Sequence, residues 1–279
     1  MDKTVLITGA STGIGKACAL YLNQKGFRVF AGVRKPADGV ALQQEEPAVT
    51  PVILDITSQS DISSAKEIIG DTPLDGLFNN AGINIAGPLE FLPVDQLRRQ
   101  LEVNVIGHIA VTQAFLPNIR AARGRIVFTS SVAGLIAAPI VGPYAASKHA
   151  LEALADSLRV ELAPSGIHVS ILEPGNIKTP IWEKLTDLNK RIFDGLPENA
   201  RQLYGSMVDT VNQFIVKLSQ RGDPPVKVAE VVHHALTAKH PKTRYRPGKH
   251  ASTLKLVSQF VPDKVRDFFI NQEIKRRTR

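Results

Sequence analysis

Six short apolar runs alternating with amphipathic helical stretches predict an α/β chain built on an open, doubly wound parallel sheet with helices on both faces. Two details support this. Most of the runs are continuously apolar, as strands covered on both sides are. The first run also leads straight into a glycine-rich turn and then a helical pattern. The strand candidates are residues 5–7, 28–31, 52–54, 76–78, 125–128 and 168–172. Amphipathic helices are predicted near 14–25, 58–69, 95–121 and 144–163. The last of these carries Leu151, Leu154, Leu158 and Leu162 on one stripe at i, i+3/i+4 spacing. Residues 180–225 break the alternation: they are mixed and helix-forming, with Trp182, Phe193, Tyr204, Met207 and Phe214. No linker, low-complexity stretch or long repeat divides the chain, so residues 1–279 are expected to form a single domain.

A composition of 43% hydrophobic and 22% charged residues is that of an ordinary soluble protein, long enough to bury a substantial core. Cys18 has no second cysteine to pair with and, on a predicted helix, reads as a small buried hydrophobe. Neither a signal peptide nor an apolar run of about 20 residues is present, and a cytoplasmic location is expected. Twelve Lys and Arg against three acids fall within 239–279, whereas 1–238 hold 22 bases and 23 acids. The basic helical tail, 250–279, sets charges beside apolar faces, an arrangement that could lie on an anionic membrane. The preferred reading is a helix packed on the domain with its charges solvated. Nucleic-acid binding is not expected, because no recognition motif accompanies the charge. His149 and the pair His233-His234 show no metal-ligand spacing, and no metal is expected.

The chemistry concentrates in three places. In Thr8-Gly9-Ala10-Ser11-Thr12-Gly13-Ile14-Gly15, glycines let the backbone turn sharply and approach a pyrophosphate at a helix N-terminus. The second strand ends at Val33, followed by Arg34 and Lys35, with no carboxylate to hold an adenosine 2′-hydroxyl. A guanidinium suits a 2′-phosphate, which favours NADP(H) over NAD(H); a solvated loop pair is the alternative. Tyr144 and Lys148, at i and i+4, share one helix face. A nearby ammonium is expected to pull a phenol below its usual pKa of about 10, into the range of acid–base work. A plain surface pair would show the same spacing.

With Asn79-Asn80-Ala81-Gly82, Ser130-Ser131 and Tyr144-x-x-x-Lys148 in order, residues 3–180 resemble the classical short-chain dehydrogenase/reductases, which have a Rossmann-like sheet. The runs Glu173-Pro174-Gly175-Asn176-Ile177-Lys178-Thr179 and Pro241-Lys242-Thr243-Arg244-Tyr245 most resemble the hydroxysteroid and retinol dehydrogenase branch or its bacterial relatives. The resemblance implies that Ser131 hydrogen-bonds the substrate oxygen and that Tyr144 exchanges the proton. Lys148 would depress the tyrosine pKa and hold the nicotinamide ribose. Asn104, mid-helix, would hold a water leading protons to Lys148. Asp55 and Ile56 would contact adenine, although Asp55 could instead cap the helix near Ser58. Asn80, Ala81 and Gly82 would line the adenosine side; Pro174, Gly175, Ile177 and Thr179 would position carboxamide and diphosphate. Position 12, basic in many NADP-preferring relatives, is Thr12 here, and Lys16 is a second candidate cation.

The same resemblance makes 180–225 a cover over the substrate pocket, offering Ile181, Trp182, Leu185, Phe193, Leu196, Tyr204 and Met207, with Ile83, Leu135, Val141 and Gly142 as walls. The implied substrate is an apolar ketone or secondary alcohol: a steroid, retinoid or aliphatic carbonyl, although large aromatics on a helix can equally be core. The reducing direction follows from the NADP(H) preference. A homodimer or homotetramer through the 95–121 and 144–163 helices is also implied. Two alternatives stand beside this reading: a 3-oxoacyl thioester reductase, and a non-catalytic NADP(H)-binding sensor or scaffold.

Overall fold

The computed structural model describes residues 3–277, apart from the side chains of 183–187, 218, 219, 273 and 275–277. Leu185 and the terminal bases from Lys275 onward therefore lie outside the described residues. The elements run β1 (Thr4–Ile7), α1 (Gly13–Gln24), β2 (Arg28–Val33), α2 (Pro36–Glu45), β3 (Thr50–Ile53), α3 (Gln59–Ile69), β4 (Gly76–Asn79), α4 (Val94–Leu101), a π turn (Glu102–Ile106) and α5 (Gly107–Ala122). They continue with β5 (Arg125–Thr129), α6 (Gly142–Leu162), β6 (His168–Leu172), α7 (Ile181–Asp194), α8 (Glu198–Arg221), α9 (Val226–Thr237), β7 (Arg244–Tyr245), α10 (Ala251–Phe260) and α11 (Asp263–Arg277).

Seven parallel strands form one sheet in the order β3-β2-β1-β4-β5-β6-β7. Successive strand side chains point to opposite faces. Val5 and Ile7 enter one core with Cys18 and Leu22 of α1 and Val232 and Leu236 of α9. Leu6 enters the other, with Ile62 of α3, Phe115 of α5 and Leu151 of α6. Both faces are apolar because both are covered, which is why the strands read as continuous runs. Cys18 is fully buried, and burial pushes its thiol pKa up.

Three elements differ from the sequence expectation. The 95–121 helix is interrupted by the π turn, which inserts a wide turn at Asn104. α2 starts at Pro36, a favoured first-turn residue, but has too few apolar positions to be periodic. β7 is two residues long, one of them Arg244, and no alternation can show in so short a strand. Residues 180–225 resolve into the pair α7 and α8. The strand order reverses between β1 and β4, where a crevice must open at the carboxyl ends of the strands.

Candidate active site

That crevice is a cleft of about 630 Å³, lined by residues following all of β1 to β6. At its β1 end the Thr8 hydroxyl accepts the amides of Asn80 (2.9 Å) and Ala81 (3.0 Å), locking the glycine turn to the segment after β4. Asn80 closes the same junction by donating to the carbonyls of Thr8 (3.1 Å) and Gly9 (3.3 Å). Gly9 has φ 65°, and a Cβ on Gly15 would lie 2.2 Å from the Gly9 carbonyl oxygen. The start of α1 can therefore approach the turn only with glycine there. The Thr12 side chain does not cap α1, which leaves the first-turn amides facing the cleft for an anion.

Gly9, Ser11, Thr12, Gly13, Ile14, Arg34, Asp55, Ile56, Asn80, Gly82, Pro174, Gly175, Ile177 and Thr179 all line the cleft. Gly15 and Ala81 lie behind the lining, and Lys16 turns away to pair with Glu45 at 2.5 Å. Val33 is buried at the end of β2, and the exposed Arg34 follows it at the cleft wall. Asp55 does not cap α3; Ser58 does, accepting the Asp61 amide at 3.2 Å. Asp55 instead accepts both the amide (2.9 Å) and the hydroxyl (2.7 Å) of Thr57. Partial burial pushes the Asp55 carboxyl up, but these bonds and the nearby guanidiniums of Arg34 and Arg99 bring it below its ordinary value. Arg99, on α4, also lines the cleft, and the sequence reading did not single it out.

At the other end Ser131, Tyr144 and Lys148 meet in the lining. Ser131 is positioned as the cap of a short 3-10 turn, its hydroxyl accepting the Ala133 amide at 3.1 Å. Tyr144 and Lys148 extend from the first two turns of α6, with the ammonium 5.7 Å from the ring centroid. Burial lowers the pKa of Lys148 to about 8, although Glu152 one turn on works the other way. Its Nζ donates to the Thr129 carbonyl at 2.7 Å. The Tyr144 pKa departs from the expected direction. Burial pushes it above its ordinary value, against a hydrogen bond from Ser131 that lowers it. Desolvation of the phenolate outweighs that hydrogen bond, while the ammonium itself donates to a backbone oxygen.

Asn104 is fully buried in the π turn, outside the lining, rather than at mid-helix. Its Oδ1 accepts the Ile83 amide at 2.9 Å, and its Nδ2 donates to the Ile83 carbonyl (2.9 Å) and the Ser147 hydroxyl (3.1 Å). Its contacts thus join the chain after β4 to α6. His108, one turn further, was not singled out from the sequence, though its i+4 spacing from Asn104 was readable. It is fully buried, with Nε2 2.7 Å from the Ala81 carbonyl oxygen and Nδ1 without a partner among the described residues. Burial, with the charge of Lys148, drives its pKa down to about 3, so the ring is neutral.

Of the expected substrate contacts, Ser131, Tyr144, Ile181 and Trp182 line the cleft, and Leu135 and Val141 do not. Val141 packs with Trp182, Phe193, Tyr204 and Met207 around Ala86, Ile140, Val208 and Ile215, so these aromatics form the core beneath α7 and α8. Leu196 is buried. No cluster of three metal-ligating side chains occurs among the described residues.

The short chain dehydrogenase family model matches residues 3–190. The chain is 42% identical to mouse (Mus musculus) retinol dehydrogenase 5, over 95% of this chain and 87% of that protein. It is 36% identical to bovine (Bos taurus) 17-beta-hydroxysteroid dehydrogenase type 6, over 97% and 88% of the two chains. It is 33% identical to the NADPH-dependent 3-dehydrocapnine reductase of Ornithobacterium rhinotracheale, over 98% of both. With the strand order, the glycine turn and the Ser131–Tyr144–Lys148 end of the cleft, these similarities establish that the chain belongs to the short-chain dehydrogenase family, in the branch of the retinol and hydroxysteroid dehydrogenases, and is an oxidoreductase of alcohol and carbonyl groups.

Proposed function

We propose that the protein is an NADP(H)-dependent oxidoreductase acting between an apolar ketone and the corresponding secondary alcohol, of steroid, retinoid or aliphatic type. The observation that carries this is one cleft with two chemically distinct ends: an anion-accepting glycine turn flanked by Arg34, and Ser131, Tyr144 and Lys148. The residues fit a nicotinamide dinucleotide, with amides for the pyrophosphate and a cation, but no acid, where β2 ends. When bound, that cofactor supplies or accepts the hydride. The protein's own part is proton transfer and orientation. Ser131 holds the substrate oxygen, and Tyr144 donates its phenolic proton to that oxygen as the carbonyl is reduced. A phenol pushed above its ordinary pKa is fully protonated at neutral pH, the state that a proton donor needs. Lys148, held against Thr129, supplies positive charge for the phenolate that forms.

NADP(H) and the reducing direction rest on Arg34 and on the absence of a carboxylate at Val33. They are supported by the NADPH dependence in the name of the bacterial relative. The whole chain serves as one catalytic domain, with 180–225 covering the substrate end. Exposed Val94 on α4 and Ile106 in the π turn, with Leu154 and Val160 on α6, suit the expected contact with a second copy.

The test is turnover of purified protein with NADPH or NADH and a panel of apolar ketones. Turnover with NADPH is expected to fall by about 10²–10⁴ in Tyr144→Phe while cofactor binding persists. Arg34→Ala should raise the KM for NADPH and leave that for NADH nearly unchanged. Tight NADPH binding without turnover would favour a sensor, and activity confined to 3-oxoacyl thioesters would favour the thioester reductase.

A further inference from the structure

Tyr144, Lys148, Glu152 and Asp156 succeed one another at i+4 along α6 and form a single row. The upper half of the row lies in the cleft. The lower half meets the Pro241–Tyr245 motif, which the proposed chemistry does not use. Arg244, in β7, reaches Glu152 with Nε (3.1 Å) and Asp156 with Nη2 (2.6 Å). Its Nε also lies 3.0 Å from a carboxylate oxygen of Glu173, whose other oxygen is 2.5 Å from Arg246 Nε. Glu173 is fully buried and Glu152 nearly so. Carboxylates that deep stay charged only when paired, and here the same guanidinium spans all three. Glu173 immediately precedes Pro174 and Gly175 in the cleft wall, and its amide bonds the Tyr245 carbonyl at 2.8 Å.

We propose that Arg244 is a positioning residue for Lys148. By gripping Glu152 and Glu173 it holds a carboxylate one turn below the lysine and ties the catalytic row of α6 to the strand end that leads into the cofactor wall. This rests on the reading of Lys148 as catalytic. The groups facing the ammonium are Tyr144 and Glu152 on α6, the Thr129 carbonyl of β5 and the neutral His108 of α5; Glu173 and Arg244 lie behind Glu152. Glu152 is thus the one anion in direct play. Burial, with the neighbouring Glu173, pushes its carboxyl above its ordinary value, against the hydrogen bond from Ser130 and the guanidinium of Arg244, which favour the charged form. That charge opposes the desolvation that lowers the Lys148 pKa to about 8.

The test follows the Lys148 side-chain nitrogen resonance in ¹⁵N-lysine-labelled full-length protein without cofactor or substrate, assigned by its loss in Lys148→Arg. Glu152→Gln keeps the shape and removes the charge. Side chains one helical turn apart stand about 5–6 Å from each other at Cβ, and a charge at that range in an effective dielectric near 20 is worth roughly two pKa units, so the Lys148 midpoint should fall by up to about that much. Asp156→Asn removes a carboxylate from the same arginine one turn further away and should leave the midpoint in place. Arg244→Met should displace it, and Arg244→Lys should restore it in part. A midpoint unmoved in Glu152→Gln or in Arg244→Met, or moved equally in Asp156→Asn, overturns the proposal. The titration needs no turnover, so its failure is separate from failure of the proposed reaction. In the active enzyme, the Glu152→Gln pH profile should move to lower pH by the same amount without a matching change in KM.

Discussion

His108 is a fully buried base beside the reacting end, held away from its ordinary pKa, and it leaves a measurable trace. His108 titrates at about 3 in the folded protein and near 6.5 once unfolded. Between these values the unfolded chain binds one more proton than the native state, so stability falls as pH drops through that window. Its contribution is complete above about pH 6.5 and declines by roughly 1.4 kcal/mol per pH unit on the way down. Urea midpoints from pH 7 to 4 should show this slope in the native sequence and lose most of it in His108→Gln. Gly15 offers a second residue-scale check. A methyl group 2.2 Å from the Gly9 carbonyl oxygen must displace backbone, so Gly15→Ala should cost about 1–3 kcal/mol and weaken NADPH binding. Tyr144, Lys148 and the glycines were legible in the sequence because their chemistry fixes both residue type and spacing. His108 was not, because a buried histidine has the same letter as a surface one. The direction of the Tyr144 pKa was not legible either, since it depends on how much water the fold removes and on a carbonyl that holds the ammonium.

At the scale of elements, the π turn between α4 and α5 carries the most consequence. An insertion there swings Asn104 inward, where its amide clamps both backbone groups of Ile83 and the Ser147 hydroxyl behind the catalytic row. Asn104→Ala would leave buried polar groups without partners, a loss of about 1–3 kcal/mol for each unsatisfied group. The expected outcome is a lower Tm and a fall in kcat that exceeds any change in cofactor affinity, since α6 is loosened and the glycine turn is not touched. Equal losses in both would mean that Asn104 supports the whole cleft rather than α6. The six long-run strands and the helices that cover them were readable from periodicity, because burial on two faces writes a continuous apolar run. The π turn, α2 and β7 were not. One inserted residue leaves the hydrophobic stripe nearly in register. α2 packs through Gly39 and Leu42 alone among its fully buried positions, and β7 is defined by pairing with β6 rather than by its own pattern.

For the whole molecule, the charge is lopsided, and the structure shows what accompanies it. The tail read as a helix packed on the domain becomes α10 and α11, which leave Leu256, Phe260, Val265, Phe268 and Phe269 exposed, Phe260 by 71%. Leu256 and Phe260 fall on one face of α10, and Val265 and Phe269 on one face of α11. No helix among the described residues is long and apolar enough to cross a membrane. These exposed apolar side chains belong to a stretch, 239–279, that carries twelve bases in its sequence, of which Arg244 and Arg246 are paired with Glu173. A second copy would bring the same positive charge against it, whereas an acidic lipid surface complements both features, each base near such a surface being worth about 1 kcal/mol. Vesicles containing phosphatidylserine should therefore co-sediment the protein at low salt and release it as salt rises, and vesicles of phosphatidylcholine alone should not. Deleting 262–279 should abolish the sedimentation. Sedimentation unchanged by that deletion would assign the contact elsewhere. No sedimentation at low salt would mean that the apolar faces of α10 and α11 do not serve a lipid surface, and that the basic tail only adds solubility.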